Sequence, residues 1–177
     1  MIAGTDVHTL LKNIELLLLD VDGVLTDGRI YYTDGGEEIK AFHVKDGLGL
    51  NLLMTAGIQA GIVTGRKSEA LMHRCRDLGI DLIFTGIRKK DEVLPIVTKK
   101  TGIPAEHIAF MGDDLIDLPL MKRVGCAIAV ADAHLLTHAQ AHVITASKGG
   151  HGAVREVCES ILKAKGLWEK AVSRFTA

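Results

Sequence analysis

The 177-residue sequence has few cysteines, almost no net charge and no long apolar run. Cys75, Cys126 and Cys158 are widely spaced, which predicts free thiols in a reducing compartment. A net charge of −1 offers no electrostatic basis for binding nucleic acid or an anionic membrane. No apolar run could span a bilayer, and no secretion signal opens the chain. We therefore expect a cytoplasmic protein that binds neither nucleic acid nor membrane.

Aromatic residues are also scarce, at 4% of the chain against 47% hydrophobic residues, which predicts a core of Leu, Ile and Val. The length suits a single domain over residues 1–177. Predicted strands alternate with predicted helices at a steady interval, which indicates an α/β fold: a three-layer, Rossmann-like parallel sheet. The predicted strands are residues 14–19, 59–63, 82–84, 108–111, 126–130 and 142–145.

Three segments lie outside this alternation. Residues 29–42 contain two β-prone runs around Asp34-Gly35-Gly36 and predict a hairpin that projects from the main sheet. Residues before Asn13 predict a short helix or a loose lead-in. A C-terminal tail begins near residue 148 with a glycine-rich stretch, followed by a helix over about 153–165 that residues 168–175 extend.

The first predicted strand ends in two carboxylates, Asp20 and Asp22, with Gly23 after them. The run Ile14 to Leu19 is almost wholly apolar, which is typical of a central strand buried on both faces. Residues two apart in an extended chain point the same way, so both carboxylates can face one site. Two like charges this close need a cation or a shared proton between them.

Further polar residues follow the other strands, at the same predicted edge of the sheet. Thr64 follows the second strand, and Lys90 begins the helix after the third. Carboxylates can hold a hard cation such as Mg²⁺, while a hydroxyl and an ammonium suit phosphate oxygens. The sequence therefore predicts a Mg²⁺-dependent phosphoryl-transfer site, to which the fourth strand contributes Asp113, Asp114 and Asp117.

These motifs, in this order, resemble the four motifs of the haloacid dehalogenase superfamily over about residues 14–161. Within it, the chain most resembles the 3-deoxy-D-manno-octulosonate 8-phosphate phosphatases. The resemblance implies a haloacid dehalogenase-like fold without a cap domain and a Mg²⁺-dependent phosphatase of lipopolysaccharide precursor synthesis. The more specific segments are His43-Val44-Lys45-Asp46-Gly47, Thr64-Gly65-Arg66-Lys67, Arg74-Cys75, residues 112–117, residues 130–133 and residues 149–157.

The resemblance also implies a role for each catalytic residue. Asp20 would attack phosphorus and form an aspartyl phosphate. Asp22 would protonate the leaving alkoxide and then deprotonate the attacking water. Thr64 and Lys90 would bind the phosphoryl oxygens, and Lys90 would also hold Asp20. An acid at position 22 favours a phosphatase over a dehalogenase.

Further roles concern the metal and the substrate. The resemblance implies that Mg²⁺ is held by Asp20, the backbone carbonyl of Asp22, and Asp113, with Asp114 and Asp117 orienting the metal's waters and Lys90. Many members of the family carry a basic residue where this chain has Asn51, and an arginine where it has His151. The implied contacts to a phosphorylated sugar acid are Asp22, His43, Val44, Lys45, Asp46, Gly47, Asn51, Arg66, Arg74, Lys90 and His151.

The spacing of the motifs leaves no room for a cap domain, since 43 residues lie between Asp20 and Thr64 and 25 between Thr64 and Lys90. A neighbouring subunit could exclude water and recognise the leaving group instead. The resemblance implies a homotetramer in which four hairpins form a central barrel. The glycine-rich stretch Gly149 to Gly152 predicts a mobile tail that reaches a neighbour's site.

Three alternative functions remain open. The substrate could be a nine-carbon 2-keto-3-deoxy sugar acid 9-phosphate. The chain could be a phosphoaspartate receiver domain, although the strand ending near Phe84 supplies no carboxylate for a receiver's phosphoacceptor. It could also be a binding module without activity, against which the intact set of Asp20, Asp22, Lys90 and Asp113 argues.

Overall fold

The computed structural model describes residues 6–176, which contain a six-stranded parallel sheet flanked by helices and a separate two-stranded hairpin. Residues 1–5, part of the predicted lead-in, lie outside the described residues. The strands are β1 (Leu16–Leu19), β2 (Tyr31–Tyr32), β3 (Glu38–Ile39), β4 (Gln59–Val63), β5 (Leu82–Phe84), β6 (Ile108–Gly112), β7 (Cys126–Ala129) and β8 (Val143–Ile144). The helices are α1 (Val7–Asn13), α2 (Val44–Thr55), α3 (Glu69–Leu78), α4 (Leu94–Thr101), α5 (Leu118–Met121), α6 (Leu135–Gln140), α7 (Ala153–Ala164) and α8 (Trp168–Thr176).

The main sheet has the order β5-β4-β1-β6-β7-β8, so β1 lies near its centre. β1 pairs in parallel with β4 on one side and with β6 on the other. Its residues, Leu16–Leu19, are buried on both faces because a hydrophobic cluster covers each face. Helices α1, α2, α3, α7 and α8 contribute to one cluster, while α4 and α5 contribute to the other. The predicted three-layer α/β architecture is confirmed.

The carboxyl ends of β1, β4 and β6 lie at one edge of this sheet. The amide of Asp20 donates to the carbonyl of Met111 in β6 at 2.9 Å, which continues the ladder one residue beyond β1. The amide of Thr64 likewise donates to the carbonyl of Phe84 in β5 at 2.9 Å. Parallel pairing therefore brings together the residues that follow three different strands.

The hairpin is shorter than its β-prone runs suggest. Tyr31 pairs with Ile39 and Tyr32 with Glu38, and no further residue joins this antiparallel ladder within residues 6–176. Ile30, Tyr31, Tyr32 and Ile39 are all exposed. A two-stranded hairpin with no packed face is marginal alone, so the regular pairing is confined to two residues on each side.

Two predicted helices begin differently from the sequence expectation. The helix after β5 starts as a 3₁₀ turn, Lys90–Val93, before α4, and the one after β6 starts as Leu115–Asp117 before α5. Proline lies at the first turn of both α4 and α5, where its missing N–H costs nothing. Gly166, at φ +68°, separates α7 from α8, so the tail forms its own helix and does not extend α7.

The inserts between the motifs are small. Between β1 and β4 the chain forms the β2–β3 hairpin and α2, and between β4 and β6 it forms α3, β5 and α4. Within the part of the chain that the structure describes, no cap domain covers the carboxyl edge of the sheet. Within residues 6–176, no helix is long and apolar enough to cross a membrane.

Candidate active site

A buried lysine lies between two carboxylates at the carboxyl edge of the sheet. The Nζ atom of Lys90 lies 2.7 Å from Oδ1 of Asp20 and 2.5 Å from Oδ1 of Asp117. The Lys90 side chain is fully buried, and its ammonium also faces the ring of Phe110 at 5.7 Å. Burial disfavours the charge, but the two carboxylates outweigh this effect and raise the pKa of Lys90.

Asp117 holds both Lys90 and the backbone of the acidic loop. Its Oδ2 accepts from the amide of Asp113 at 2.8 Å and from the amide of Asp114 at 3.2 Å. Asp114 is exposed, and its own carboxylate accepts from the amide of Leu115 at 2.7 Å. The two residues predicted as supporting groups therefore differ: Asp117 contacts Lys90, whereas Asp114 caps the 3₁₀ turn that follows β6.

Three carboxylates converge at this edge. Ligand oxygens of Asp20, Asp113 and Asp117 lie within 4.8 Å of one another. Burial raises the pKa of Asp20 to about 6, although the neighbouring charge of Lys90 opposes the shift. Burial, together with the negative charges of Asp20 and Asp117, raises the pKa of Asp113 to about 8. Buried carboxylates that repel one another are suited to binding a divalent cation, because its positive charge offsets the repulsion between them.

The hydrogen bonds that each carboxylate already accepts determine which of the three can bind that cation. Both oxygens of Asp117 accept hydrogen bonds within the chain, whereas Lys90 binds only Oδ1 of Asp20 and, among residues 6–176, the Asp113 carboxylate accepts none. Gly23, at φ +91°, lies against the Asp113 carboxylate, and a Cβ there would collide with it. The donor set fits Mg²⁺, with Asp20 and Asp113 as the side-chain ligands.

Thr64 follows β4 and is buried at the same edge. Its hydroxyl accepts from the amide of Arg66 at 3.3 Å, and its carbonyl accepts from the amide of Ile87 at 3.0 Å. These contacts fix the loop after β4, which ends at the same edge of the sheet as β1.

Asp22 lies in a group of alternating charges that sequence reasoning missed. Lys40 binds Oδ1 of Asp22, and Nε of Arg66 lies 3.5 Å from Oδ2. Nη2 of Arg66 lies 2.5 Å from Glu38, whose other oxygen lies 3.5 Å from Lys40. Glu38 and Lys40 are two residues apart on the hairpin, so period-two alternation could have placed them on one face.

A second group surrounds the N-terminus of α2. His43 Nδ1 lies 4.0 Å from Oδ2 of Asp46, and the guanidinium of Arg74 packs against Gly47. Asp46 is buried, and its Oδ1 accepts from the amide of Arg155 at 2.8 Å. Asp46 thus caps α7 from another helix, which is a structural contact that its predicted place among the substrate ligands did not foresee.

The remaining predicted substrate ligands are scattered. Val44 and Lys45 are exposed on the first turn of α2, and His151 is exposed with its Nδ1 2.7 Å from the carbonyl of Gly149. Asn51 lines a surface pocket of about 450 Å³ with Met54, Thr55, Leu78, Gly79 and Arg174, none of which belongs to the aspartate cluster. Within one chain, the structure does not bring Asn51 to Asp20.

The glycine-rich stretch packs on its own chain. Gly150 donates to the carbonyl of Val24 at 2.9 Å, and Gly149 donates to Oδ1 of Asp132 at 3.0 Å. Gly149 lies so close to the carbonyl of Gly23 that a Cβ would overlap it. This packing places the glycine-rich stretch against the segment that follows β1 in the same chain. The stretch supports the loop that carries Asp22.

Comparisons with known proteins identify relatives of this chain. The haloacid dehalogenase-like hydrolase family model matches residues 80–157. A 3-deoxy-D-manno-octulosonate 8-phosphate phosphatase from Salmonella typhi is 47% identical over 168 residues, which cover 95% of this chain and 89% of that enzyme. This comparison establishes similarity along almost the whole of both chains.

Two solved structures extend the comparison. The phosphatase of this name from Yersinia pestis matches with a TM-score of 0.91 and 45% identity, over 92% of this chain and 88% of that one. The one from Moraxella catarrhalis, a complex with a magnesium ion, a phosphate ion and a KDO molecule, matches with a TM-score of 0.93 and 44% identity. That match covers 95% of this chain and 97% of the other.

Proposed function

The chain belongs to the 3-deoxy-D-manno-octulosonate 8-phosphate phosphatase family of the haloacid dehalogenase-like hydrolases, and we propose that it hydrolyses this sugar-acid phosphate to KDO and phosphate. The observation that carries the proposal is the buried contact of Lys90 with Asp20, whose carboxylate lies beside that of Asp113. Such a site combines a carboxylate nucleophile with groups that bind a phosphoryl dianion. A receiver domain would instead carry its phosphoacceptor after β5, where Phe84 ends the strand.

Asp20 is the nucleophile in this reaction. Its free carboxylate oxygen attacks phosphorus while the bond from phosphorus to the sugar oxygen breaks, and an aspartyl phosphate forms. Lys90 binds the other oxygen of Asp20, which fixes the direction of attack and leaves a positive charge beside the transferring group. The Thr64 hydroxyl offers a donor to the same phosphoryl oxygens.

Asp22 is the acid and the base. In the first step it gives a proton to the sugar oxygen as that oxygen leaves. In the second step it takes a proton from the water that attacks the aspartyl phosphate, which releases phosphate and restores Asp20. A sugar alkoxide is a poor leaving group, so this proton transfer contributes more for a sugar phosphate than for an aryl phosphate.

Asp20, Asp113 and the backbone carbonyl of Asp22 would hold Mg²⁺. When bound, the ion offsets the negative charge shared by the carboxylates and the phosphate. The raised pKa values of Asp20 and Asp113 support this assignment, because burial and mutual repulsion penalise both charges without a cation. Asp117 supports the site by holding the Lys90 ammonium and the amide of Asp113.

The sugar acid would contact residues from the hairpin side and from the first turn of α2. Arg66 and Arg74 supply the positive charge that a sugar-acid carboxylate needs. His43 is half-buried and Val44 and Lys45 are exposed, whereas Asp46 and Gly47, which follow in the same turn, are buried. Asn51 and His151 complete the proposed set.

We further propose that four chains assemble and complete one another's sites, in the cytoplasm. The carboxyl edge of the sheet lacks a cap within residues 6–176, and the hairpin beside it exposes Ile30, Tyr31, Tyr32 and Ile39. Exposed apolar residues on a short, unpaired hairpin favour burial against other copies. Light scattering should give about four times the 19.0 kDa chain mass; a fully active monomer would contradict the assembly.

The function is tested by a phosphate-release screen with Mg²⁺ over sugar phosphates and sugar-acid phosphates. The 8-phosphate of 3-deoxy-D-manno-octulosonate should give the highest kcat/KM, and EDTA should stop the reaction until Mg²⁺ is restored. Asp20→Asn should abolish turnover while the fold is kept. A higher kcat/KM for a nine-carbon 9-phosphate would overturn the substrate, and near-wild-type activity of Asp20→Asn would overturn the mechanism.

A further inference from the structure

The carboxylate of Asp22 is bound by a lysine that belongs to the hairpin. Lys40, which directly follows β3, binds Oδ1 of Asp22. The Lys40 side chain is only 2% exposed, whereas the Asp22 side chain is 20% exposed. Lys40 is therefore enclosed by the protein, while part of Asp22 remains open to the site.

A buried ammonium requires carboxylate partners, because burying an unpaired charge is costly. Lys40 finds them in Asp22 and, at 3.5 Å, in Glu38. Glu38 is held in turn by Arg66 at 2.5 Å. The position of Lys40 is thus determined by the hairpin, and Asp22 is attached to the hairpin through it.

The two oxygens of Asp22 are in different situations. Oδ1 is bound by Lys40. Among the described residues, the ion-pair partner of Oδ2 is the Nε of Arg66, at 3.5 Å, and this Nε is itself a buried donor with no hydrogen-bond partner there. One oxygen is therefore anchored, and the other lies beside an unused donor, where an oxygen of the substrate can enter.

From this geometry we infer that Lys40 is a positioning residue for Asp22: by binding Oδ1 it aims Oδ2 at the leaving-group oxygen. The inference rests on the proposed function, because it concerns the acid of that reaction. Among residues 6–176, the ion-pair partners of Lys40 are Asp22 and Glu38, and neither side chain is a proposed metal ligand. Its effect reaches the substrate only through Asp22.

The inference predicts a change in leaving-group preference. Lys40→Met removes the ammonium but keeps the length of the side chain, so the hairpin can still pack. We expect kcat for the sugar-acid phosphate to fall roughly 10- to 100-fold, a part of what general acid catalysis contributes. Turnover of p-nitrophenyl phosphate, whose leaving group needs no proton, should change less than about threefold.

The structure allows matched controls. Lys99→Gln removes an exposed lysine on α4 and should alter neither substrate. Lys40→Gln is a second variant that keeps a polar group beside Glu38, and it should change the preference in the same direction. In an Asp22→Asn background, Lys40→Met should not change the preference between the two substrates any further. The effects of two substitutions do not add when one residue acts through the other.

Two results would overturn the inference. Equal loss on both substrates would assign Lys40 a purely structural role, and wild-type activity of both variants on both substrates would remove its link to Asp22. Failure of the proposed function would look different, since the wild-type protein itself would then release no phosphate from the sugar-acid phosphate.

Discussion

The ammonium of Lys90 lies 2.7 Å from Asp20 and 2.5 Å from Asp117, and none of the three side chains is more than 5% exposed. A single buried cation is therefore shared by the proposed nucleophile and by the residue that holds the acidic loop. Removing it leaves two buried carboxylates without a cation. The stability of the fold and the orientation of the nucleophile are thus determined by the same contact.

Lys90→Met should destabilise the protein and abolish activity. Breaking a buried ion pair by removing one partner costs about 3–5 kcal/mol, because the other charge stays buried. The loss of unfolding free energy should be smaller at pH 5 than at pH 8, because protonation removes the negative charge of the remaining carboxylates. Urea unfolding at both pH values measures this free energy. Lys89→Met, which alters an exposed neighbour, is the control, and unchanged stability of Lys90→Met would contradict the shared contact.

Asp22→Asn should slow the sugar-acid phosphate far more than p-nitrophenyl phosphate. Loss of a general acid costs about 10²- to 10⁴-fold where the leaving group needs a proton, and much less for an aryl group. Steady-state kinetics on the two substrates gives the ratio. Asp114→Asn, which alters a carboxylate that only caps a turn, should leave this ratio unchanged. Equal slowing of both substrates by Asp22→Asn would refute the acid role.

Binding of Mg²⁺ should release protons. Burial and repulsion raise the pKa of Asp113 to about 8 and that of Asp20 to about 6, so Asp113 is largely protonated at pH 7 without metal. About one proton should therefore leave on binding. Calorimetry in buffers of different ionisation enthalpy counts it, and Asp113→Asn should bind weakly without that release. An absence of proton release from the unaltered protein would show that the site is ionised in advance.

The same shifts determine how stability depends on pH without metal. Both carboxyls have a higher pKa folded than unfolded, so the folded state holds protons that the unfolded state has lost. Stability should fall as pH rises from the ordinary carboxyl pKa of 3.8 to the folded values, about 6 for Asp20 and about 8 for Asp113. Mg²⁺ should raise the melting temperature most at the upper end of this range. A melting temperature that rises with pH in EDTA would contradict the predicted direction of the pH dependence.

Gly149→Ala should damage both the fold and the site. Its Cβ would overlap the carbonyl of Gly23, a backbone atom that cannot move without the loop that carries Asp22. Overpacking of this kind costs about 1–3 kcal/mol or more. Gly35→Ala, where a Cβ would meet Thr33 at an ordinary 3.6 Å, is the matched control. Thermal melting together with kcat separates the two variants, and equal behaviour would show that the stretch adapts.

Local sequence patterns determined the main sheet and the proposed catalytic residues. The apolar run 14–19 predicts a strand buried on both faces, and that strand is β1, near the centre of the sheet. Because parallel strands end at one edge, the sequence alone assigns the residues after three strands to one site. Asp20, Asp113 and Lys90 meet there. The spacing of apolar residues and the order of strands and helices are properties of short segments, so the sequence alone predicts them.

Contacts between distant segments were decided by the tertiary structure. Lys40 meets Asp22, Asp46 caps α7 through Arg155, and Gly149 packs on Gly23, each across many residues of intervening chain. No local period encodes these pairs. They form because a buried charge, an uncapped helix end or a close backbone approach must be satisfied by whatever the fold brings near. The sequence thus specifies the reacting groups, and only folding determines which residues hold them in place.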